Sequence, residues 1–237
     1  MNQRKYSWPE GHWDWYQHLA FKHGIRVGDL MFIGGQVDKT DQGEPLHTFD
    51  LERQTETVVG HIDTVLHDLG SSLKDVTKLV AFYASDGSID ERTFLEHVGQ
   101  CLIEHGKGSL LDEGPAITAV PLPCLALPGM MVEIEAIAIA QDSTTDRVTA
   151  NPEGLTPLPA PFCHGIRHGS HAWGSAQPTS WSSNTTAESS NLCEQTAEMM
   201  NRIKTILVEL GADFGDCLLY TSDAADERSR VDLGGRR

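Results

Sequence analysis

Apolar residues between Glu52 and Leu69 recur at helical spacing: Val58, Val59, Ile62, Val65, Leu66 and Leu69 fall on one stripe. The spacing predicts a helix over 52–69, with Asp50 to cap its start and Gly70 its end. Ser88 and Glu91 form a capping-box pair ahead of a second predicted helix, which turns Phe94, Val98, Cys101 and Leu102 inward. Four stretches read as strands: Leu30–Val37, weakened by Gly34-Gly35, then Lys78–Ala84, Ala116–Leu122 and Met131–Ala140. The order strand, helix, strand, helix, strand, strand predicts an α+β fold with two helices on one face of a sheet.

The chain also repeats itself. Phe21-Lys22-His23-Gly24-Ile25-Arg26 returns as Phe162-Cys163-His164-Gly165-Ile166-Arg167, an offset of 162 − 21 = 141. The same offset carries Gln36 to Gln177, Gln54-Thr55 to Gln195-Thr196, Leu69-Gly70 to Leu210-Gly211 and Asp75 to Asp216. The expected organisation is a complete domain over 1–140, a proline-rich linker over 141–161 and a truncated second copy over 162–216. The linker carries Pro152, Pro157, Pro159 and Pro161 and reads as extended and semi-rigid. Residues 217–237 match nothing in the first copy and are read as an artefact of sequence read-through. Thr179–Ser190, rich in serine and threonine, reads as a flexible loop.

Charge narrows the functional classes. The 237 residues hold 18 Lys plus Arg against 34 Asp plus Glu, a formal charge of −16. So acidic a body repels phosphate backbones and anionic lipid, so neither nucleic acid nor membrane is expected as a partner. The apolar run Ala119–Ile139 is broken by prolines and by Glu133 and Glu135, so no segment reads as a membrane span. The N-terminus lacks the apolar core of a secretory signal. Five cysteines without C-x-x-C spacing point to reduced thiols in a cytoplasmic protein.

The segment Gly24–Val37, with Gly34-Gly35-Gln36 at its centre, resembles the opening of the RidA/YjgF (reactive intermediate deaminase) family. The resemblance runs on through Gln54-Thr55 and Leu73–Tyr83 to Gly114-Pro115-Ala116-Ile117-Thr118 and Val132-Glu133-Ile134-Glu135. It implies a chorismate-mutase-like α+β sandwich of a mixed sheet with two helices on one face. It further implies homo-oligomers with trimer-like arrangement and small-molecule clefts between subunits. It implies hydrolysis of enamines and imines to carbonyl compounds and ammonia, with no metal or organic cofactor. Carried over residue by residue, it makes Glu133 the catalytic carboxylate. It places Phe21, Gly34, Gly35, Ile117 and Ala119 at substrate-binding positions.

Those positions depart from the family pattern in ways that matter chemically. Attack on an imine carbon needs an activated water, which Glu133 supplies as a general base. A substrate carboxylate needs a cation, which a guanidinium fork holds best. The family's arginine position reads Ile117, its frequent cysteine reads Ala119, and its tyrosine reads Phe21. Two functions are therefore open. One is a hydrolase of a small C=N compound, with any carboxylate held elsewhere, Arg26 being one candidate. The other is a RidA-fold protein that binds a small ligand without catalysis. Each residue also has a plainer reading: Glu133 faces solvent, Gly34 and Gly35 mark a bulge, Phe21 is core. His23 and His164 read as polar loop residues, and His61 and His67, outside the apolar stripe, as solvated. His164, His168 and His171 have imidazoles for zinc, but Gly165 and Gly169 break the helix that would converge them.

Overall fold

The computed structural model describes residues 4–13, 20–106, 114–140, 146–175 and 192–217. Its centre is a six-stranded mixed sheet in the order β1-β2-β3-β6-β4-β5. The strands are β1 (Arg4–Ser7), β2 (Gly24–Val27), β3 (Leu30–Val37), β4 (Val76–Ala84), β5 (Ala116–Leu122) and β6 (Val132–Ile139). All neighbours are antiparallel except β4 and β5, which run parallel. A parallel pair needs a crossover, and helix α2 (Glu91–His105) supplies it. The predicted strands hold to within two residues. β1 and β2 were not anticipated, being four-residue strands with a charged or mixed pattern.

Helix α1 (Leu51–Asp68) forms where the apolar stripe predicts it. Asp50 accepts a hydrogen bond from Arg53 N, and Gly70 takes φ 78° just past the end. Its Val58, Val59, Ile62, Val65 and Leu66 are wholly buried against Met31, Ile33, Ile134, Ala136 and Leu79 of the sheet. Gly24 permits this close approach, since a Cβ there would lie 2.8 Å from Val65 Cγ1. Helix α2 is capped by Asp90, which accepts from Thr93 N and Thr93 Oγ1, not by the expected Ser88–Glu91 pair. Ser88 instead bonds Asp86, leaving Asp90 in the N-cap position. Both helices lie on one face; the other carries Phe32, Val80, Phe82 and Glu135, all half-buried or exposed.

A second, three-stranded sheet, β7-β8-β9, is built from Arg147–Ala150, Gly165–His168 and His171–Gly174. β7 lies inside the span expected to be an extended linker, where Arg147-Val148-Thr149 offers a short strand pattern ahead of the prolines. Helix α3 (Leu192–Glu209) follows, then a 3-10 turn at Phe214–Asp216. These elements fall 141 residues after β2, α1 and the turn Leu73–Asp75. The correspondence reaches single bonds. Gly34 N donates to the His23 carbonyl, and Ser175 N to that of His164. Arg26 and Arg167 each donate to the last carbonyls of their helices, at Leu69 and Leu210. The expected artefact beyond Cys217 and the whole Thr179–Ser190 stretch lie outside the described residues.

Candidate functional site

The site begins at an interruption in the sheet. β3 pairs with β6 from Leu30↔Ile139 to Ile33↔Ala136, then resumes at Gln36↔Ile134 and Val37↔Glu133. Gly34 and Gly35 form the intervening bulge, which glycine tolerates at little cost. Gly35 is required sterically: a Cβ there would lie 1.9 Å from Glu133 Oε1. The carboxylate therefore rests directly on the bulge backbone. Phe21 covers its other side, its ring 3.5 Å from where a Gly34 Cβ would stand. Trp13 stacks on Phe21 with ring centroids 5.7 Å apart, and the pair packs with Val37, Met130 and Leu125.

Burial, and secondarily the charge of Glu135, raise the Glu133 pKa above the usual carboxylate range, while Lys39 opposes them. Lys39 lies two residues beyond Val37, the pairing partner of Glu133, and so on the same side of the sheet within lysine reach. Burial lowers its own pKa, with Glu44 and Glu133 acting against that. Lys39 was missed in the sequence because a single lysine in a turn-rich stretch carries no pattern. A groove of about 590 Å³ continues from this end of the sheet, lined by Phe49, Ala84, Cys124, Leu125 and Met131 among others. Phe49, at φ 62° and 72% exposed, forms an open wall of it.

Phe21, Gly34, Gly35 and Glu133 are thus brought together. Ile117 and Ala119 are not. They sit on β5, two strands from β6, opposite Leu79 and Ala81. Ile117 is wholly buried in the helix-side core, whereas Glu133 alternates to the opposite face. Arg26 is not a substrate cation either: it donates to the carbonyls of Gly28 and Leu69, closing the end of α1.

The histidines depart from expectation. His23 and His164 are buried, not loop-exposed. His61 is also drawn inward, donating from Nδ1 to the Val37 carbonyl at 3.1 Å, because the ring sits where α1 crosses the end of β3. His67 is exposed, as expected. His12 Nε2 donates to Gln36 Oε1 and His23 Nε2 to the Trp13 carbonyl, both at 2.9 Å. Among the described residues no group of three His, Cys, Asp or Glu side chains is placed to hold a metal ion; His164 immediately precedes β8 and His168 ends it. The cysteines are free thiols.

Similarity to known proteins decides the family. The sequence profile described as Endoribonuclease L-PSP matches residues 16–140, more than half of the chain. The chain belongs to this family. A RutC family protein of Pyrococcus abyssi is 26% identical over 120 residues, covering 50% of this chain and 84% of its own. Among solved structures, a YjgF/YER057c/UK114 family member from Mycobacterium tuberculosis is similar at 20% identity and TM-score 0.43. It spans 58% of this chain and 100% of its own. The yeast protein YEO7 is similar at 24% identity and TM-score 0.47, spanning 58% of this chain and 99% of its own. The α+β architecture with its mixed sheet is that of the RidA/YjgF family. Among the described residues no helix is long and apolar enough to cross a membrane.

Proposed function

We propose that this RidA/YjgF protein hydrolyses small imines or enamines, with Glu133 as general base and acid. The observation that carries the reading is the half-buried Glu133 carboxylate seated on the Gly34–Gly35 bulge with its pKa raised. A carboxylate shifted toward neutrality both accepts and returns a proton efficiently. Glu133 takes a proton from water, and the hydroxide adds to the C=N carbon as the π pair moves to nitrogen. The proton returned from Glu133 makes that nitrogen an amine. Glu133 then takes the hydroxyl proton and passes it to the amine, which leaves as ammonia while the oxygen pair forms the carbonyl. Lys39, on the same side of the sheet, is the cation for a substrate carboxylate, replacing the arginine absent at Ile117.

The second copy, by this reading, is a partial duplicate of the first, and the protein is a cytoplasmic homo-oligomer. The uncovered sheet face around Phe32, which is 45% exposed, is the surface that a neighbouring subunit would cover. Ile117 supports a second reading, a ligand-binding member without turnover. Ammonia release from a panel of 2-imino acids and uncharged imines separates the two. Turnover that vanishes in Glu133→Gln supports hydrolysis. Saturable binding with no ammonia release from any substrate supports the binding protein.

A further inference from the structure

Away from the Glu133 cleft, one lysine is buried where the two repeat units meet. Lys78 points from β4 toward the seam between β5 and the β8–β9 hairpin. Its Nζ donates to Thr118 Oγ1 at 2.5 Å and to the Gly174 carbonyl at 3.4 Å. The Thr118 and Ser175 hydroxyls are 2.9 Å apart, and Ser175 Oγ in turn donates to the Ile117 carbonyl. The chain of donors therefore has a direction: amine to threonine, threonine to serine, serine to backbone. Lys78 has no carboxylate partner among the described residues. The Cys163 thiol nearby is pushed up to about 11 by burial, so it stays neutral and offers no counter-ion.

The hydrogen-bond count fits an amine better than an ammonium. A neutral amine has two N–H bonds and one lone pair. Thr118 and Gly174 satisfy both N–H groups and leave the lone pair unshared. An ammonium would carry a third, unsatisfied proton and an uncompensated buried charge. Desolvation lowers the Lys78 pKa to about 7. The chain just before β8 meets the β5 edge at an isolated bridge, Ala116↔Cys163, and Ser175 just after β9 bonds Ile117 and Thr118 on the same edge.

We propose that Lys78 is a nucleophilic amine that condenses with small uncharged aldehydes entering at this seam. The Nζ lone pair forms a bond to the carbonyl carbon, and the C=O π pair moves to oxygen. A proton passes from nitrogen through the Thr118 hydroxyl to that oxygen, giving a neutral carbinolamine. The nitrogen pair then forms C=N as the hydroxyl leaves with the second nitrogen proton as water. One amine and one aldehyde give one imine and one water. Nothing in this chemistry uses Glu133 or Lys39.

Reductive trapping on the full chain tests it. The protein is mixed with acetaldehyde at pH 7, sodium borohydride delivers hydride to any imine carbon, and peptide mass spectrometry reads each lysine. The expected result is alkylation of Lys78 roughly tenfold or more faster than of exposed Lys22, Lys74 and Lys204. Labelling of Lys78 should rise through pH 7. Thr118→Val and Ser175→Ala should slow labelling at Lys78 alone. Labelling of Lys78 no faster than of the exposed lysines in the unaltered protein overturns the proposal. So does a pH profile shared by all four.

Discussion

At the scale of single residues, the contact between Glu133 and Gly35 organises the candidate site. A methyl group at position 35 would overlap Glu133 Oε1, so Gly35→Ala must displace the carboxylate or the bulge. The expected outcome is a loss of about tenfold or more in ammonia release, of the size misplacement by an ångström produces. A circular dichroism spectrum like that of the unaltered chain would show that the loss is local. Glu133→Gln should cost about a hundredfold or more, the usual contribution of a positioned general base. An unchanged rate in Glu133→Gln would remove Glu133 from the chemistry. Ile117 is the counter-example. The family comparison suggests restoring an arginine there, but the side chain is wholly buried among Leu79 and its core neighbours. Ile117→Arg should therefore destabilise the fold by upwards of ~3 kcal/mol, read as a lowered urea midpoint, and give no gain in turnover. The motif alone showed which residue types were present. It did not show that β4 separates β5 from β6, and that separation keeps Ile117 and Glu133 apart.

At the scale of elements, the regular parts were legible and the N-terminal ones were not. Helix α1 announces itself because its stripe must face a core, and the outcome differs from expectation by one residue at each end. β1 and β2 are short, and they are held by pairing rather than by apolar periodicity. The three histidines that join the N-terminal segment to β3 and α1 were equally hidden, because their burial depends on tertiary packing. His12 stands with ring centroids 4.2 Å from His23 and 4.5 Å from His61. Burial first, then the neighbouring His12 charge, lower His23 and His61 to about 4, while Asp38 opposes the shift at His61. His12 is lowered too, by burial against its bond to Gln36. The unfolded chain protonates these rings near 6.5, well above the folded state. Their neutral packing therefore contributes fully above about pH 6.5, and the contribution falls as the pH drops toward 4. The environment of Trp8 and Trp13, which pack on His23, should report this as a fluorescence change over that interval. His61→Asn should shift the change to higher pH, since it removes a cation that holds the His23 pKa down. A flat tryptophan signal from pH 7 to 4 would show that the cluster does not couple to acid.

At the scale of the whole molecule, the question is what fastens the unit of β7–β9 and α3 to the unit of the six-stranded sheet. The hydrophobic contribution comes from Phe162 and Leu158, which enter the main core, and from a smaller cluster of Ala116, Cys163, Ile166 and Trp173. Backbone carbonyls do more. Arg147 donates to those of Lys74 and Val76, Arg92 to that of Pro157, and Cys163 N to that of Pro115. Such bonds need close approach of main chains, and two glycines in the first unit permit it. A Cβ at Gly114 would lie 1.7 Å from the Pro161 carbonyl oxygen, and one at Gly99, on α2, 2.3 Å from that of Ala160. Both obstacles are backbone atoms, which cannot swing aside as a side chain does. Gly114→Ala should therefore push the chain around Pro161 outward, costing about 1–3 kcal/mol as overpacking does. Only Phe162 of the displaced stretch reaches the core that α1 shares, so the loss should be largest at the seam. The expected signature is faster amide exchange at Val148, Thr149 and Ile166 with unchanged protection at Val58 and Ile62. Limited proteolysis should also cut sooner between Asn151 and Pro161. Uniform loss of protection across both units would mean instead that the seam is part of one cooperative core, and that the C-terminal unit supports the other.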